Sequence, residues 1–251
     1  MRAMARPDLA DDLPEGTEKV QKVQAMFDAI APRYDVVNRL MTFRMDVGWR
    51  RRTVRALALP PGSQVLDLAC GTGDLCRELQ SSGLRPIGMD LSFGMLAAAR
   101  TDAPLAQADA LALPVPDGSV AGVTCGFALR NLRALEPFFA ELARVVRPGG
   151  RIGLLEVAEP SNRLLRWGHG VYFGKVVPVI GGLLSDPAAY RYLPRSVAYL
   201  PEPGRMLGML ADAGFTTVDR KLLSTGIAQL ITATRSVTPA AEGPEAPGAP
   251  S

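Results

Sequence analysis

Val65–Leu75 reads VLDLACGTGDL, an apolar run that ends in an acid, crosses a glycine turn and opens a helical pattern. This junction constrains the chain more than any other stretch. A glycine turn after a strand bares backbone N–H groups that can cradle an anion. Two phosphate-binding patterns fail here. A Walker-type loop needs Lys and then Ser or Thr after its second glycine, and Gly73 is followed by Asp74-Leu75. A dinucleotide turn needs a small third residue at 76, where Cys76 stands. Asp74 at the helix start would also repel a pyrophosphate. What remains is Asp67 at a strand end, then Ala69, Gly71 and Gly73 at alternate positions. That pattern suits a ligand with a cationic, amino-acid-like end.

Strand-like runs at 64–68, 85–90, 104–107, 119–125 and 151–157 enclose helical segments at about 74–81, 92–100 and 133–146. Such alternation predicts a mostly parallel, doubly wound sheet. Phe215–Lys221 and Gly226–Thr234, separated by Leu222–Thr225, add an antiparallel hairpin. The expected fold is therefore α/β and Rossmann-like, a seven-stranded sheet that ends in a hairpin. Ahead of it, Val20, Val23, Met26, Phe27 and Ile30 fall at helical spacing until Pro32. A second helix is expected over Asp46–Ala58, stopped by Pro60-Pro61-Gly62.

These elements make one domain over 18–235, with N-terminal helices inside 18–60 and an insertion at 160–202. The middle of the insertion, LLRWGHGVYFGKVVPVIGGLL, is apolar and glycine-rich. It reads either as a lid over one sheet edge or as a buried crossover helix pair. Residues 1–17 and 236–251 are expected to be disordered, the latter because TPAAEGPEAPGAPS has too many prolines to pack.

A 251-residue chain with 47% hydrophobic content suits one such domain. Its net charge of +3 makes no case for nucleic acid. Cys70, Cys76 and Cys125 form no ligand spacing, so no metal is expected and a reduced, cytoplasmic compartment is the simplest reading. The opening MRAMARPDLADDLPEGTEK has no apolar signal region, and no run of eighteen apolar residues exists to span a bilayer.

In open α/β sheets the ligand sits at the carboxyl ends of the strands. Asp67, Asp90 and Asp109 each follow a strand-like run. Asp90 is placed to accept from a ribose diol and Asp109 from an adenine amino group. With Gly71, Thr72 and Gly73 in the turn and Ala110 beside Asp109, this set describes S-adenosylmethionine, a nucleoside with a sulfonium and no phosphate.

The residues resemble a class I methyltransferase, and longer stretches narrow the likeness. AMFDAIAPRYDVVNRLMTFRMDVGWRR at 25–51 is similar to the first signature of the ubiquinone/menaquinone-biosynthesis C-methyltransferases. RVVRPGGRIGLLEVAEP at 144–160 resembles their second, FALRN at 127–131 their FGLRN, and LLSDPAAYRYLPRSVAYLP at 183–201 their lid region. Asp46 stands where many members have His, and Gly126 and Ala128 depart from the Ser and Gly expected there. The resemblance implies ring C-methylation of a polyprenylated quinol, with demethylmenaquinol first among substrates. It also implies that Arg130, Asn131 and Tyr34 activate a water and steady a phenolate.

His169, the only histidine, belongs to none of these motifs and is a weaker candidate base. The apolar 164–184 segment, with Trp167, Tyr172 and Phe173, is a candidate channel for a prenyl tail. Arg50, Arg51 and Arg52 are candidates to face anionic lipid at the inner face of a membrane. Two other readings stay open: a methyltransferase of small phenolic or polyketide metabolites, and a cofactor-binding scaffold without catalysis.

Overall fold

A computed structural model describes residues 16–160, 162, 192 and 196–237. Most of the expected terminal disorder, most of the insertion, and with it Trp167, His169, Tyr172 and Phe173, lie outside the described residues. At the two edges of the domain the structure moves the expected boundaries. Gly16 and Thr17 already belong to helix α1 (Gly16–Ile30), and the Ser236 N–H donates to the Gly214 carbonyl at 3.0 Å.

Seven strands form one sheet: β1 (Gln64–Leu68), β2 (Arg85–Asp90), β3 (Leu105–Gln107), β4 (Val120–Gly126), β5 (Val146–Val157), β6 (Phe215–Leu223) and β7 (Ala228–Arg235). Their order is β3-β2-β1-β4-β5-β7-β6. The first five run parallel, and β7 is antiparallel to both β5 and β6. Strand order reverses between β1 and β4, so their carboxyl ends open the crevice where such folds bind ligands.

Helices α4 (Asp74–Ser81), α5 (Phe93–Ala97), α6 (Leu135–Val145) and α7 (Pro203–Asp212) connect the strands, and α3 (Met45–Leu57) precedes them. One sheet face buries Phe138, Phe139 and Leu142 of α6 and Met206 and Leu210 of α7 against Leu66, Val123, Ile152 and Ile231. The other buries Val54 and Leu57 of α3 and Leu75 and Leu79 of α4 against Val65. These strands are buried on both faces, which is why they read as continuous apolar runs.

The structure departs from the expected elements in three places. β5 starts at Val146, because the chain passes Arg147–Gly150 with a register shift against β4 between Val120 and Gly122. The helix expected over 92–100 covers only Phe93–Ala97. A further helix, α2 (Tyr34–Met41), buries Asp35, Val37 and Met41 and leaves Val36 and Leu40 exposed. A buried acid and exposed aliphatics invert the usual pattern, so periodicity did not mark this helix.

Helix α1 lies across the carboxyl ends of the strands, tied from both sides. Lys19 Nζ donates to the Leu132 carbonyl at 2.8 Å, and Gln24 Nε2 to the Leu91 carbonyl at 3.0 Å. Asp28 Oδ1 accepts from Ser92 Oγ at 2.5 Å and from the Gly94 N–H at 2.8 Å. A Cβ on Gly94 would come within 2.8 Å of the Asp28 backbone. Glycine is what lets α1 close this near.

Candidate active site

Under α1 a cleft holds about 840 Å³ of empty space, continuous with solvent. Val20, Val23 and Phe27 of α1 form one apolar wall. The facing wall comes from the loops after β1, β2, β3 and β4.

After β1, Ala69 and Gly71 line the cleft. Both have positive φ, 50° and 55°, and nothing stands within 4 Å of where a Cβ on Gly71 would be. The turn therefore brings bare backbone to the cavity. After β2, Asp90 accepts the Gly71 N–H on Oδ2 and the Ser92 N–H on Oδ1, each at 2.8 Å. Burial raises its pKa, and these two N–H groups pull the other way. After β3, Asp109 and Ala110 line the cleft, and Asp109 Oδ1 accepts the Leu111 N–H at 2.9 Å. Gly71, Asp90, Asp109 and Ala110 thus meet in one cavity, as expected from their strand-end positions.

Other expected members of the set sit behind the cleft wall. Asp67 is fully buried in β1 and accepts from Thr124 Oγ1 at 2.8 Å and Cys76 Sγ at 3.3 Å. Burial lifts its pKa to about 7 against the pull of those two bonds. Its place is explained by register, since Asp67 pairs with Thr124 across β1 and β4. Thr72 is buried and spends its hydroxyl on Asp35 Oδ1 at 2.5 Å, which ties α2 to the glycine turn. Gly73 holds φ at +84° beside Thr101, with 2.6 Å from its would-be Cβ to Thr101 Cγ2. Asp74 gathers Arg50 at 2.9 Å, Arg39 at 3.6 Å and Arg77. Its charge is turned to those arginines and is no guard against an incoming anion.

The reaction edge lies after β4. Phe127 adopts φ +60°, a strained value for a side chain of its size. Its carbonyl is turned to accept Arg130 Nη1 at 2.8 Å. Tyr34, Phe127 and Asn131 line the cleft. Arg130 does not reach the wall among the described residues. It is buried and ion-paired to Glu156, itself fully buried at the end of β5, and its Nε donates to Ser196 Oγ at 3.1 Å. Asn131 Oδ1 accepts from the Tyr192 hydroxyl at 3.1 Å. Residues 192 and 196, four apart, thus each hold one member of the Arg130-Asn131 pair.

Burial raises the Tyr34 pKa, and the Arg50 and Arg130 charges act against that rise. Arg50 belongs to this interior: it is buried and ion-pairs with Asp46 at 2.5 Å. The expectation that Arg50 faces lipid is therefore corrected. Sequence reasoning passed over Glu156, Tyr192 and Ser196. Glu156 was within reach of the rule that picks out Asp67, Asp90 and Asp109, because it too ends a strand. Nothing in the spacing of Tyr192 and Ser196 points to partners so distant in the chain.

The family described as ubiE/COQ5 methyltransferase matches residues 16–235. The demethylmenaquinone methyltransferase of Roseiflexus castenholzii is 41% identical over 230 residues, 88% of this chain and 96% of that protein. The one from Deinococcus radiodurans is 43% identical over 233 residues, 88% and 95% of the two chains. The ubiquinone/menaquinone biosynthesis C-methyltransferase UbiE of Syntrophotalea carbinolica is 40% identical, covering 86% and 95%. Among solved structures, a complex of the Haloferax volcanii Trm112 methyltransferase activator with a putative methyltransferase superposes with TM-score 0.61 at 17% identity. It covers 84% of this chain and 97% of that one, a likeness of fold.

Proposed function

Because the chain belongs to the ubiE/COQ5 methyltransferase family and is an S-adenosylmethionine-dependent methyltransferase, we propose that it C-methylates the ring of a polyprenylated quinol, converting demethylmenaquinol to menaquinol. The observation that carries the substrate is the identity above 40% to two demethylmenaquinone methyltransferases along nearly their whole length. The cleft residues fit the cofactor. The space beside Gly71 admits a ligand against the backbone. Each Asp90 oxygen takes one N–H and keeps capacity for a ribose hydroxyl. Only Oδ1 of Asp109 is engaged by a described residue, which leaves Oδ2 for an exocyclic amine.

The bound cofactor supplies an electrophilic methyl group. The chain's own residues make the ring carbon ready to receive it. Tyr34, kept protonated by burial, donates to the quinol oxygen. Asn131, its carbonyl oxygen occupied by Tyr192, offers its amide N–H groups to the same oxygen. The hydroxyl proton and, once the methyl is attached, the ring proton leave through water in the open cleft, and one proton returns to the oxygen. Arg130 works from behind the wall as a fixed positive charge that favours the phenolate. Holding ring and methyl donor at near-attack distance supplies roughly 7–11 kcal/mol of the barrier. Quinone profiling of a deletion strain tests the reading. Demethylated menaquinone should accumulate and disappear on complementation; an unchanged quinone pool would overturn the substrate assignment.

A further inference from the structure

The inverted helix α2 and its continuation into α3 form a surface with an unusual composition. Val36, Leu40 and Phe43 are exposed, by 62%, 47% and 69%. Spacings of four and three put the first two, and the chain leaving the helix at the third, on one side. Phe43 and Arg44 form the turn between the helices with φ of 49° and 61°. Arg44 follows Phe43 in that turn, and Arg33, Arg51, Arg52 and Arg55 are exposed on the segments to either side of the stripe.

No exposed acid interrupts the stretch 32–57. Its two acids, Asp35 and Asp46, are buried on Thr72 and Arg50. The neighbouring acids of α4 are engaged as well: Asp74 by Arg39, Arg50 and Arg77, and Glu78 by Arg51 at 3.6 Å. An apolar ridge on a stretch that exposes arginines and no acid matches the interface of an anionic bilayer, with acyl chains for the ridge and phosphates for the guanidiniums. A water-facing surface would instead expose polar side chains at 36, 40 and 43.

We infer that the α2–α3 face, Val36, Leu40 and Phe43 with Arg44, Arg52 and Arg55, docks the protein on an anionic phospholipid surface. Tyr34, the first residue of α2, lines the cleft, so docking sets the cleft mouth at the lipid boundary. On the proposed function, this is where a prenylated quinol would be met. Docking itself depends on neither substrate nor cofactor. It replaces the sequence-based placement of membrane contact on Arg50–Arg52, since Arg50 is buried.

The test is co-sedimentation of the full chain with vesicles of phosphatidylglycerol and phosphatidylcholine, and with phosphatidylcholine alone, without quinol or cofactor. The protein should partition preferentially to the anionic vesicles, and added salt should weaken that preference. Arg44→Glu with Arg52→Glu and Arg55→Glu should lower the partition coefficient at least about tenfold. Val36→Ser with Leu40→Ser should lower it by a similar factor. All five positions lie outside the cleft wall, so turnover of a tailless, soluble quinol should be unchanged in both variants. That control also separates the two readings, because failure of the methylation assay leaves vesicle binding as it was. Equal partition to neutral and anionic vesicles, or variants that bind like the parent, would overturn the inference. So would an apolar variant that loses only self-association in sedimentation velocity, which would make the face an interface between copies. If the apolar pair alters the melting temperature, the arginine variant alone decides.

Discussion

The two halves of the cleft are built by different means. On the cofactor side, Asp90 bonds the Ser92 N–H two residues on, and Asp109 bonds the Leu111 N–H two residues on. Asp109 is set by its own loop, and Asp90 by its own loop and by the Gly71 N–H of the adjoining turn after β1. On the reaction side, Arg130 is held by Glu156 and Ser196, and Asn131 by Tyr192. Those partners come from another strand and from the far end of the insertion. The first half is a backbone feature that tolerates change elsewhere. The second exists only when separate parts of the chain have packed together. Mutations should therefore separate the halves: cofactor-side changes act on affinity, reaction-side changes on turnover and stability together.

The largest effect is expected at Glu156. Removing one partner of a buried ion pair leaves the other charge unpaired, at a cost of about 3–5 kcal/mol. Glu156→Gln should lower unfolding stability by about that amount in urea titrations and reduce turnover with it. Replacing both partners, as Arg130→Met with Glu156→Leu, should restore most of the stability and none of the turnover. Recovery of both would show that Arg130 only packs the core.

Asp67 gives a pH test of the interior between the halves. Its folded pKa of about 7 stands above its ordinary 3.8, so between those values the folded state holds a proton that the unfolded chain has released. Its contribution to stability is fully present below about pH 4 and is lost as pH rises toward 7, with a slope no steeper than about 1.4 kcal/mol per pH unit. Asp67→Asn should flatten this part of the profile. A wild-type profile that stays level from pH 4 to 7 would mean Asp67 ionises inside the fold.

The same division explains what could be read from the chain. The central strands and Asp90 and Asp109 were legible because strands buried on both faces write apolar runs and strand-end acids follow them, and the closing hairpin because two β-rich runs flank a short turn. Asp67 and Thr72 obeyed the same rule and yet turned inward, because β1 faces Thr124 on one side and Asp35 arrives from α2 on another. Neither partner is near in sequence. Helix α2 was missed because its buried side carries an acid and its outer side carries aliphatics. The expected repulsion at Asp74 failed for a like reason: its three arginines come from α2, α3 and α4.

On the cofactor side, Asp90→Ala should weaken binding of S-adenosylhomocysteine at least tenfold in calorimetric titration. Charged hydrogen bonds contribute roughly 1.5–3 kcal/mol each, and Asp28, the other acid near that strand end, is already engaged by Ser92 and Gly94. Stability should change little, because the Gly71 and Ser92 N–H groups it releases border the open cleft. An equal loss of stability would make Asp90 a member of the long-range network.

The smallest effect is expected at Tyr192, and it is the one that separates positioning from packing. The ring is fully buried among Val23, Met26, Ile30, Val37 and Met41 of α1 and α2, while the hydroxyl alone reaches Asn131. Burial raises its pKa, so it stays a donor across the working pH range and fixes which face of the Asn131 amide points outward. Tyr192→Phe keeps the ring and removes only that bond, worth about 1 kcal/mol. Turnover should fall about fivefold and the melting temperature by about 2–4 °C, with cofactor affinity unchanged. Asn131→Asp should fall further, since it replaces the outward N–H groups with a second acceptor, and Tyr192→Phe should add little in that background. If Tyr192→Phe lowers the melting temperature and leaves turnover alone, the hydroxyl serves the core, and Asn131 takes its orientation from the strained carbonyl of Phe127.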